Sequence, residues 1–207
     1  MKLLYKDEEI AVCVKPVGVD SEKALPQELS GLLHKEVYPV HRLDLNVGGV
    51  MVYALTKTAA AALSRQITDG KMVKEYVAMI RGTPPQSGVW EDWLFKDSHK
   101  NKVFVVKKQR AGVKGAKLAY RVLEAGENTL VQVRLFTGRS HQIRVQFASR
   151  GYPLLGDHKY GARDENKAPK LFSCRITFMH QGKQVSFSAL PDFAEHICLE
   201  EHSWEQN

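Results

Sequence analysis

The fold of this chain is constrained most strongly by residues 137–144, which read Thr137-Gly138-Arg139-Ser140-His141-Gln142-Ile143-Arg144. They join an alternating apolar run at 130–136 to a helical pattern at 140–150, with a glycine at the turn. A Thr or Ser here can cap the helix, whose exposed N–H groups suit a phosphate. His141 and Arg144 are three residues apart and share a helix face. Together with Arg139 and Gln142 they place several hydrogen-bond donors on one short element; the alternative is an ordinary capped helix with solvated polar residues.

Outward from this junction, strand patterns dominate the chain. The runs 118–123 and 130–136 flank the turn residues 126–128 and predict a β-hairpin. Further strands are predicted at 10–15, 50–55, 74–81, 172–178 and 184–189, with a short helix in 20–36 and a Thr-capped helix at 59–67. Many strands, few helices and several hairpins predict an α+β domain with a mixed sheet.

Composition excludes several classes of protein. Charged residues make up 26% and apolar residues 43%, which is ordinary for a globular protein. No apolar run approaches the roughly 18–20 residues of a membrane span, and the charged N-terminus lacks a signal-peptide pattern. Three isolated cysteines (Cys13, Cys174, Cys198) form neither a disulfide framework nor a zinc motif. We therefore expect a single cytoplasmic domain over residues 1–207 that does not interact with membranes.

Cofactor motifs are missing as well. The sequence has no Gly-rich dinucleotide fingerprint, no P-loop and no His pair at metal-binding spacing. We expect no metal and no small-molecule cofactor, so any catalysis would rest on side chains alone.

The net charge of +7 is unevenly distributed. Residues 191–207 form an acidic C-terminal strip without Lys or Arg, so the first 189 residues carry +12, from 30 basic and 18 acidic groups. Residues 96–121 hold nine basic groups and a single acid, Asp97. Such a cluster attracts a polyanion; the alternative is a solvated, Lys-rich edge strand.

Two further segments carry candidate catalytic groups. Asp44, in His41-Arg42-Leu43-Asp44, precedes the buried run 50–55 and a pair of glycines that permit a tight backbone path. A carboxylate next to an arginine is a candidate nucleophile or base; the alternative is an Asp that caps a turn. In Lys74-Glu75-Tyr76, Lys74 and Tyr76 share a strand face; the alternative is a half-buried Tyr at the rim.

Taken in order along the chain, these segments resemble the RluA-type pseudouridine synthase family. The resemblance runs from about residue 3 to Pro191 and rests on HRLD at 41–44, KEY at 74–76, TGRSHQIR at 137–144 and GYPLLGDHKYG at 151–161. It implies the pseudouridine synthase catalytic-domain fold, a mixed and largely antiparallel sheet with flanking helices and loops. It also implies a stand-alone catalytic domain, without the S4-like domain of many members.

The resemblance implies a reaction and roles for four residues. The family isomerises uridine in RNA to pseudouridine without cofactor or metal, and both rRNA and tRNA fit as substrates. Asp44 matches the catalytic carboxylate, which either attacks ribose C1′ or removes a C2′ proton. Tyr76 matches the tyrosine that packs on the base, and Arg144 the arginine that pairs with the carboxylate. Arg42 matches the arginine that accompanies base flipping, which the chemistry requires.

The remaining candidate residues are assigned to RNA binding. Close to the reacting nucleotide we expect His41, Arg42, Lys74, Arg139, His141 and Gln142. For phosphates in the basic cluster we expect Lys107, Lys108 and Arg110, whose neutralisation should weaken RNA affinity and its salt dependence while sparing turnover at saturation. A monomer is compatible with the sequence.

The chain departs from the family pattern in two places. Residues 45–49 read LNVGG where the family has an acidic residue and then Thr-Ser-Gly, and Asp20-Ser21 stands where many members carry His-Pro. One alternative reading is thus a catalytically inactive RNA-binding or ribosome-assembly factor on the same scaffold. A carboxylate-based glycosidase or nuclease ranks last, because a glycosidase needs a second carboxylate across the bond.

Overall fold

A computed structural model describes residues 1–199 of the chain. These residues form two compact units. We call Met1–Lys74 with Phe172–Pro191 the terminal unit, and Glu75–Leu171 with residues 192–199 the central unit. Much of the acidic strip, including Glu200, Glu201 and Glu205, lies outside the described residues. The single domain expected over residues 1–207 stays a prediction.

The elements are numbered in chain order. The strands are β1 Lys2–Lys6, β2 Ile10–Lys15, β3 Tyr38–Pro39, β4 Gly48–Ala54, β5 Val73–Arg81, β6 Ser87–Asp97, β7 Lys102–Val106, β8 Val113–Glu124, β9 Asn128–Leu135, β10 Leu171–His180 and β11 Lys183–Ser188. The helices are α1 Ala24–Leu33, α2 Lys57–Thr68 and α3 Gln142–Ala148. None of the helices within residues 1–199 is long and apolar enough to cross a membrane.

The terminal unit is built on strands in the order β1-β2-β4-β10, with β11 paired to β10 and β3 to β4. All of its pairs are antiparallel except β4 with β10, which run parallel at Gly48–Phe172 and Gly49–Ser173. At Gly49, φ is +131° and a Cβ would stand 2.4 Å from the Ser173 backbone, so only glycine allows the two strands to meet.

Helix α2 covers one face of these strands. Thr56 caps it by accepting a hydrogen bond from the Ala59 N–H at 3.1 Å. Its Leu63 packs into a buried cluster with residues of β2, β4 and β10, among them Val12, Val52 and Phe178. Burial of this apolar face holds the helix on the sheet.

The central unit has strands in the order β5-β9-β8-β6-β7. The pairs β6–β8, β8–β9 and β6–β7 are antiparallel. Helix α3 lies on one face, where Phe147 makes an edge contact with Trp90 (ring centroids 4.6 Å apart) and with Tyr120 (5.5 Å). Because side chains alternate along a strand, the other face of β6 is left to residues such as Trp93.

Most of the elements expected from sequence are confirmed. They include the strands β2, β4, β5, β10 and β11, the β8–β9 hairpin, and both predicted terminal-unit helices. The mixed, largely antiparallel α+β fold is also confirmed. The sequence reasoning missed β1, β3, β6 and β7. For the basic cluster it offered a Lys-rich edge strand as the alternative to a polyanion-binding site. In the structure β7 does end the strand order, and the cluster spans the end of β6, β7 and most of β8.

Candidate active site

Asp44 occupies the first position of a tight turn between β3 and β4. The turn closes with a hydrogen bond from Val47 N–H to the Asp44 carbonyl oxygen at 3.0 Å. The neighbours Leu43 and Val47 are buried, whereas Asp44 is half-buried. Two apolar anchors thus hold a turn that leaves the carboxylate partly open to solvent.

The backbone on either side of Asp44 is held by groups from the β2–α1 connection. Ser21 Oγ donates to the Leu43 carbonyl at 3.0 Å and accepts from the Leu43 N–H at 3.2 Å. Gly18 N–H donates to the Leu45 carbonyl at 2.8 Å. Ser21 is one of the residues that departs from the family pattern, and here it fixes the main chain next to the candidate nucleophile.

Lys15 is a buried cation beside this turn that the sequence reasoning did not single out. Its Nζ donates to the carbonyls of Pro16 (3.0 Å), Val19 (2.8 Å) and Leu45 (3.2 Å). Burial lowers the pKa of Lys15 to about 8, and the Asp20 and Asp44 carboxylates oppose that shift. The sequence signals were its place at the end of a strand before Pro16 and its membership of the stretch Val14-Lys15-Pro16-Val17-Gly18, which also resembles the family.

His41 is a neutral imidazole within the same segment. Its Nε2 accepts a hydrogen bond from the Val52 N–H at 3.1 Å, so the ring proton resides on Nδ1. Burial lowers the pKa of His41 to about 3, and the ammonium of Lys74 acts in the same direction. Nδ1 has no hydrogen-bond partner within the described part of the chain. Burial also lowers the pKa of Lys74.

Arg42 differs from its neighbours by being exposed. Its Nη1 lies 3.1 Å from Glu22 Oε2, an ion pair in which both side chains are about half open to solvent. Such a pair contributes little to stability. Arg42 is therefore free to change conformation at low cost, as the base-flipping role expected of it requires.

Arg144 is the buried cation of the central unit. Its Nε and Nη2 donate to the two carboxylate oxygens of Asp157 at 2.7 and 2.9 Å. Arg144 is 6% exposed and Asp157 is 1% exposed. The guanidinium also lies over the Tyr160 ring, 5.2 Å from its centroid. This bidentate pair fixes the orientation of the arginine.

Sequence reasoning did not assign a role to Asp157 or Tyr160, although both lie in the GDHKY part of the last matched motif. The Tyr160 hydroxyl accepts a hydrogen bond from the Val103 N–H at 2.9 Å and lies 2.9 Å from His141 Nδ1. The structure thus brings His141 and Arg144 together around Tyr160. The signal that could have identified Asp157 and Tyr160 was their membership of the matched motif GYPLLGDHKYG at 151–161.

The start of α3 corrects one expectation. Neither Thr137 nor Ser140 caps the helix: its N-cap is His141, in a left-handed conformation (φ +51°), with no side-chain capping bond. The helix also begins later and ends earlier than the predicted 140–150. Thr137 Oγ1 instead accepts from the Lys117 N–H at 2.9 Å and donates to Gln142 Oε1 at 2.8 Å. The phosphate site expected at the first turn of this seven-residue helix stays a prediction.

Gln142 and Arg139 are tied to β8. Gln142 Oε1 also accepts from the Arg139 N–H at 3.0 Å, and its Nε2 donates to the Lys117 carbonyl at 3.1 Å. Arg139 is exposed and its Nε donates to the Gly115 carbonyl at 2.9 Å. Gln142, 2% exposed, uses both amide atoms within the protein, and its contact with a substrate stays a prediction.

The other predicted residues of the central unit lie on strand β5 and on the β7–β8 connection. Tyr76 is a buried residue of β5. Lys107, Lys108 and Arg110 are exposed on the connection, with the Arg110 guanidinium 5.2 Å from the centroid of the Phe95 ring. Across residues 1–199, no group of three His, Cys, Asp or Glu side chains is placed to hold a metal ion.

Comparison with known proteins shows the family of the chain. The family model described as RNA pseudouridylate synthase matches residues 3–149. The dual-specificity RNA pseudouridine synthase RluA of Escherichia coli strain K12 is 36% identical over 211 residues, covering 92% of this chain and 93% of that protein. The ribosomal large subunit pseudouridine synthase D of Zymomonas mobilis is 29% identical, covering 91% and 68% respectively.

Solved structures share the fold. Human RNA pseudouridylate synthase domain containing 1 superposes with a TM-score of 0.82 at 22% identity, covering 93% of this chain and 84% of that one. Human RNA pseudouridylate synthase domain containing 4 gives 0.77 at 23% identity, with 93% and 89% covered. On the family model and the RluA relatives together, the chain belongs to the RNA pseudouridine synthase family, in its RluA-type branch.

Proposed function

We propose that this chain isomerises uridine in RNA to pseudouridine with Asp44 as the catalytic carboxylate. The observation that supports this role best is the construction of the Asp44 turn. Ser21 and Lys15 hold the backbone on both sides of it through the Leu43 and Leu45 peptide groups. A rigid main chain around a half-open carboxylate is the arrangement that a positioned nucleophile or base needs.

The reaction rearranges bonds without adding or removing atoms. The Asp44 carboxylate attacks ribose C1′, or removes the C2′ proton, and the bond from C1′ to N1 of uracil breaks. The base then turns and C5 bonds to C1′. This step breaks the bond between Asp44 and C1′ in the first route, and in the second route the C2′ proton returns from Asp44 to C2′. The C5 proton then moves to solvent while N1 takes up a proton. Either route needs the carboxylate in its ionised form, because that form is the nucleophile or the base.

The other roles follow from the family match and agree with the local surroundings of each residue. Tyr76 packs on the base and assists loss of the C5 proton. Arg144 pairs with the carboxylate, and its orientation is fixed in advance by Asp157. Arg42 moves with the flipped nucleotide, which its exposed position permits.

The substrate we propose is a structured rRNA or tRNA in the cytoplasm. The relatives' names support this: one is a dual-specificity RNA enzyme and another acts on the large ribosomal subunit. The compartment is supported by cysteine usage, because Cys13, Cys174 and Cys198 form no disulfide.

Tritium release tests the catalytic role of Asp44. Ribosomal and transfer RNA, labelled with [5-³H]uridine and isolated from a strain lacking this gene, should release tritium when treated with the wild type. Asp44→Asn should slow release by at least about a thousandfold, the scale expected when a catalytic group is lost. Asp69→Asn removes an exposed carboxylate of the same unit and should retain full activity. Full activity in Asp44→Asn would remove Asp44 from the role.

Pseudouridine-sensitive sequencing identifies the target. RNA from the deletion strain should lose one or more pseudouridines, and these should return when the wild-type gene, but not the Asp44→Asn gene, is restored. An unchanged map, combined with tight RNA binding by the protein, would support the RNA-binding or assembly factor instead.

A further inference from the structure

The ribbon formed by β6 and β7 has two faces with different roles. One face is core: Leu94 of β6 and Val103 of β7 are buried with Ala116 of β8 and Val145 of α3. This face attaches the ribbon to the rest of the central unit. The residues of the opposite face are therefore not needed to build that core.

The opposite face is aromatic. Trp93 and Phe95 of β6 point to it, and Phe95 pairs directly with Phe104 of β7. Trp93 and Phe104 are each 37% exposed. Large aromatic side chains are costly to leave in water, and a group of them on one face marks an interaction site more often than chance. We call Trp93, Phe95 and Phe104 the aromatic platform.

The backbone beneath the platform leaves room for the indole ring. Trp93 lies opposite Gly115 on β8, and a Cβ at Gly115 would stand 3.4 Å from Cζ3 of the indole. The ring therefore lies against the bare backbone of β8 at Gly115. Arg139 donates to the carbonyl of this same glycine, so the loop that leads to Arg144 meets β8 beside the platform.

Cations surround the platform. The Arg110 guanidinium lies 5.2 Å from the Phe95 ring centroid, and Lys102 Nζ lies 5.8 Å from that of Phe104. From Trp93 through Lys117 the sequence has eight basic residues and one acid, Asp97. Aromatic faces among positive charges fit a partner that has both flat rings and phosphates.

From these observations we infer that the platform stacks unpaired nucleobases of the RNA substrate. The inference rests on the proposed function, since it concerns how the same RNA is held. A base in single-stranded RNA exposes its face to an aromatic ring, and such stacking tolerates any sequence. A duplex hides those faces. The platform would thus select RNA by its unpaired loop nucleotides, while Lys102 and Arg110 contact the adjoining phosphates.

The test compares two RNAs that differ only in their bases. One is oligoadenylate of about twelve nucleotides, and the other is a ribose-phosphate oligomer of equal length that lacks the bases. Fluorescence anisotropy should show that the wild type binds oligoadenylate more tightly. Trp93→Leu and Phe104→Leu keep apolar volume but remove a ring, and each should weaken oligoadenylate binding roughly 5- to 30-fold. Neither should change binding of the abasic oligomer.

Three controls separate stacking from other effects. Trp93→Phe restores a ring and should retain most of the base preference. Val89→Ala alters an exposed apolar residue on the same face of β6 and should behave as the wild type. The double variant Lys107→Ala/Lys108→Ala should weaken both RNAs alike and reduce the slope of log affinity against log salt by about 1.4. The platform variants should leave that slope unchanged.

Two results would overturn the inference: no base preference in the wild type, or unchanged oligoadenylate binding in both leucine variants. Sedimentation of RNA-free protein tests whether a second copy of this chain occupies the platform. Self-association that Trp93→Leu abolishes would assign the platform to that contact instead of to RNA. Tritium release distinguishes failure of the proposed function from failure of the aromatic platform alone. If the wild type releases no tritium, the proposed function fails; if it does and the Trp93→Leu variant has an unchanged KM, the platform alone fails.

Discussion

The turn that contains Asp44 and the helix α3 that contains Arg144 are stabilised by different kinds of hydrogen bond. Around Asp44, the ties go to the main chain: Ser21 and Lys15 bond to the peptide groups of Leu43 and Leu45. Arg144 is held by its own side chain, through two bonds to the buried Asp157. A turn held by its backbone keeps its shape when the side chain is changed, whereas a buried ion pair does not survive the loss of a partner.

The largest effect that this difference predicts is on stability. Asp157→Ala removes the carboxylate that accepts two hydrogen bonds from the buried Arg144 guanidinium, and the free energy of unfolding should fall by about 3–5 kcal/mol. Asp44→Asn should lower it less, because the main-chain hydrogen bonds of Ser21 and Lys15 to this turn remain. Urea unfolding followed by circular dichroism measures both.

A less buried pair in the same unit provides the control. Arg150 donates to both oxygens of Asp92, at 2.8 and 3.1 Å, but its side chain is 29% exposed. Asp92→Ala should cost less than Asp157→Ala, because water can solvate the arginine that remains. Equal losses in Asp44→Asn and Asp157→Ala would contradict the comparison.

The second effect is the pH dependence of the free energy of unfolding that His41, in the segment before Asp44, should cause. His41 has its pKa lowered to about 3 when folded, against about 6.5 in an unfolded chain. Between these values the unfolded chain binds the proton more readily, so stability is complete above about pH 6.5 and is lost as the pH falls toward 3. Relative to His41→Gln, which keeps an acceptor for Val52 N–H but does not titrate, the wild type should lose about 3 kcal/mol between pH 6.5 and pH 4.

Chemical unfolding at a series of pH values measures this difference. His99→Gln removes an imidazole that is exposed in the β6–β7 turn, and it should reproduce the pH dependence of the wild type. A difference between wild type and His41→Gln that does not change with pH would show that His41 takes up its proton in the folded state.

The smallest effect tests the backbone ties themselves. Ser21→Ala removes both bonds to Leu43 and should lower the free energy of unfolding by about 1–2 kcal/mol. Because the adjacent Asp44 loses its fixed position, kcat should fall about tenfold with KM nearly unchanged. Ser30→Ala removes a similar hydroxyl-to-carbonyl bond at the end of α1, to Lys35, and should lower stability without lowering kcat. An unaltered kcat in Ser21→Ala would mean that Asp44 does not depend on this tie.

Local patterns in the sequence were sufficient for much of the fold. The β8–β9 hairpin followed from its turn residues, and α2 from Thr56 and an apolar run. Strand β6 was missed because its apolar residues do not alternate: Trp90 and Leu94 face the core while Trp93 and Phe95 face outward. A strand with aromatic residues on both faces shows no period of two.

For the candidate site, sequence motifs suggest residues but do not reveal the contacts that those residues make. Ordered motifs located Asp44 and Arg144, yet Asp157 lies 13 positions from its arginine and Ser21 lies 22 from Leu43. Such pairings depend on the path of the chain in space, which no local pattern encodes. The same holds for His41, whose acceptor role at Val52 makes it neutral.

The parallel contact of β4 with β10 has a consequence for how the protein is made. Gly49 meets Ser173, so the terminal unit contains a pairing between residues 124 positions apart in sequence. During synthesis on a ribosome, every residue of the central unit up to Leu171 emerges before that pairing can form. The edge of β4 that pairs with β10 therefore stays open until β10 has emerged, and closure of a loop of this length slows folding.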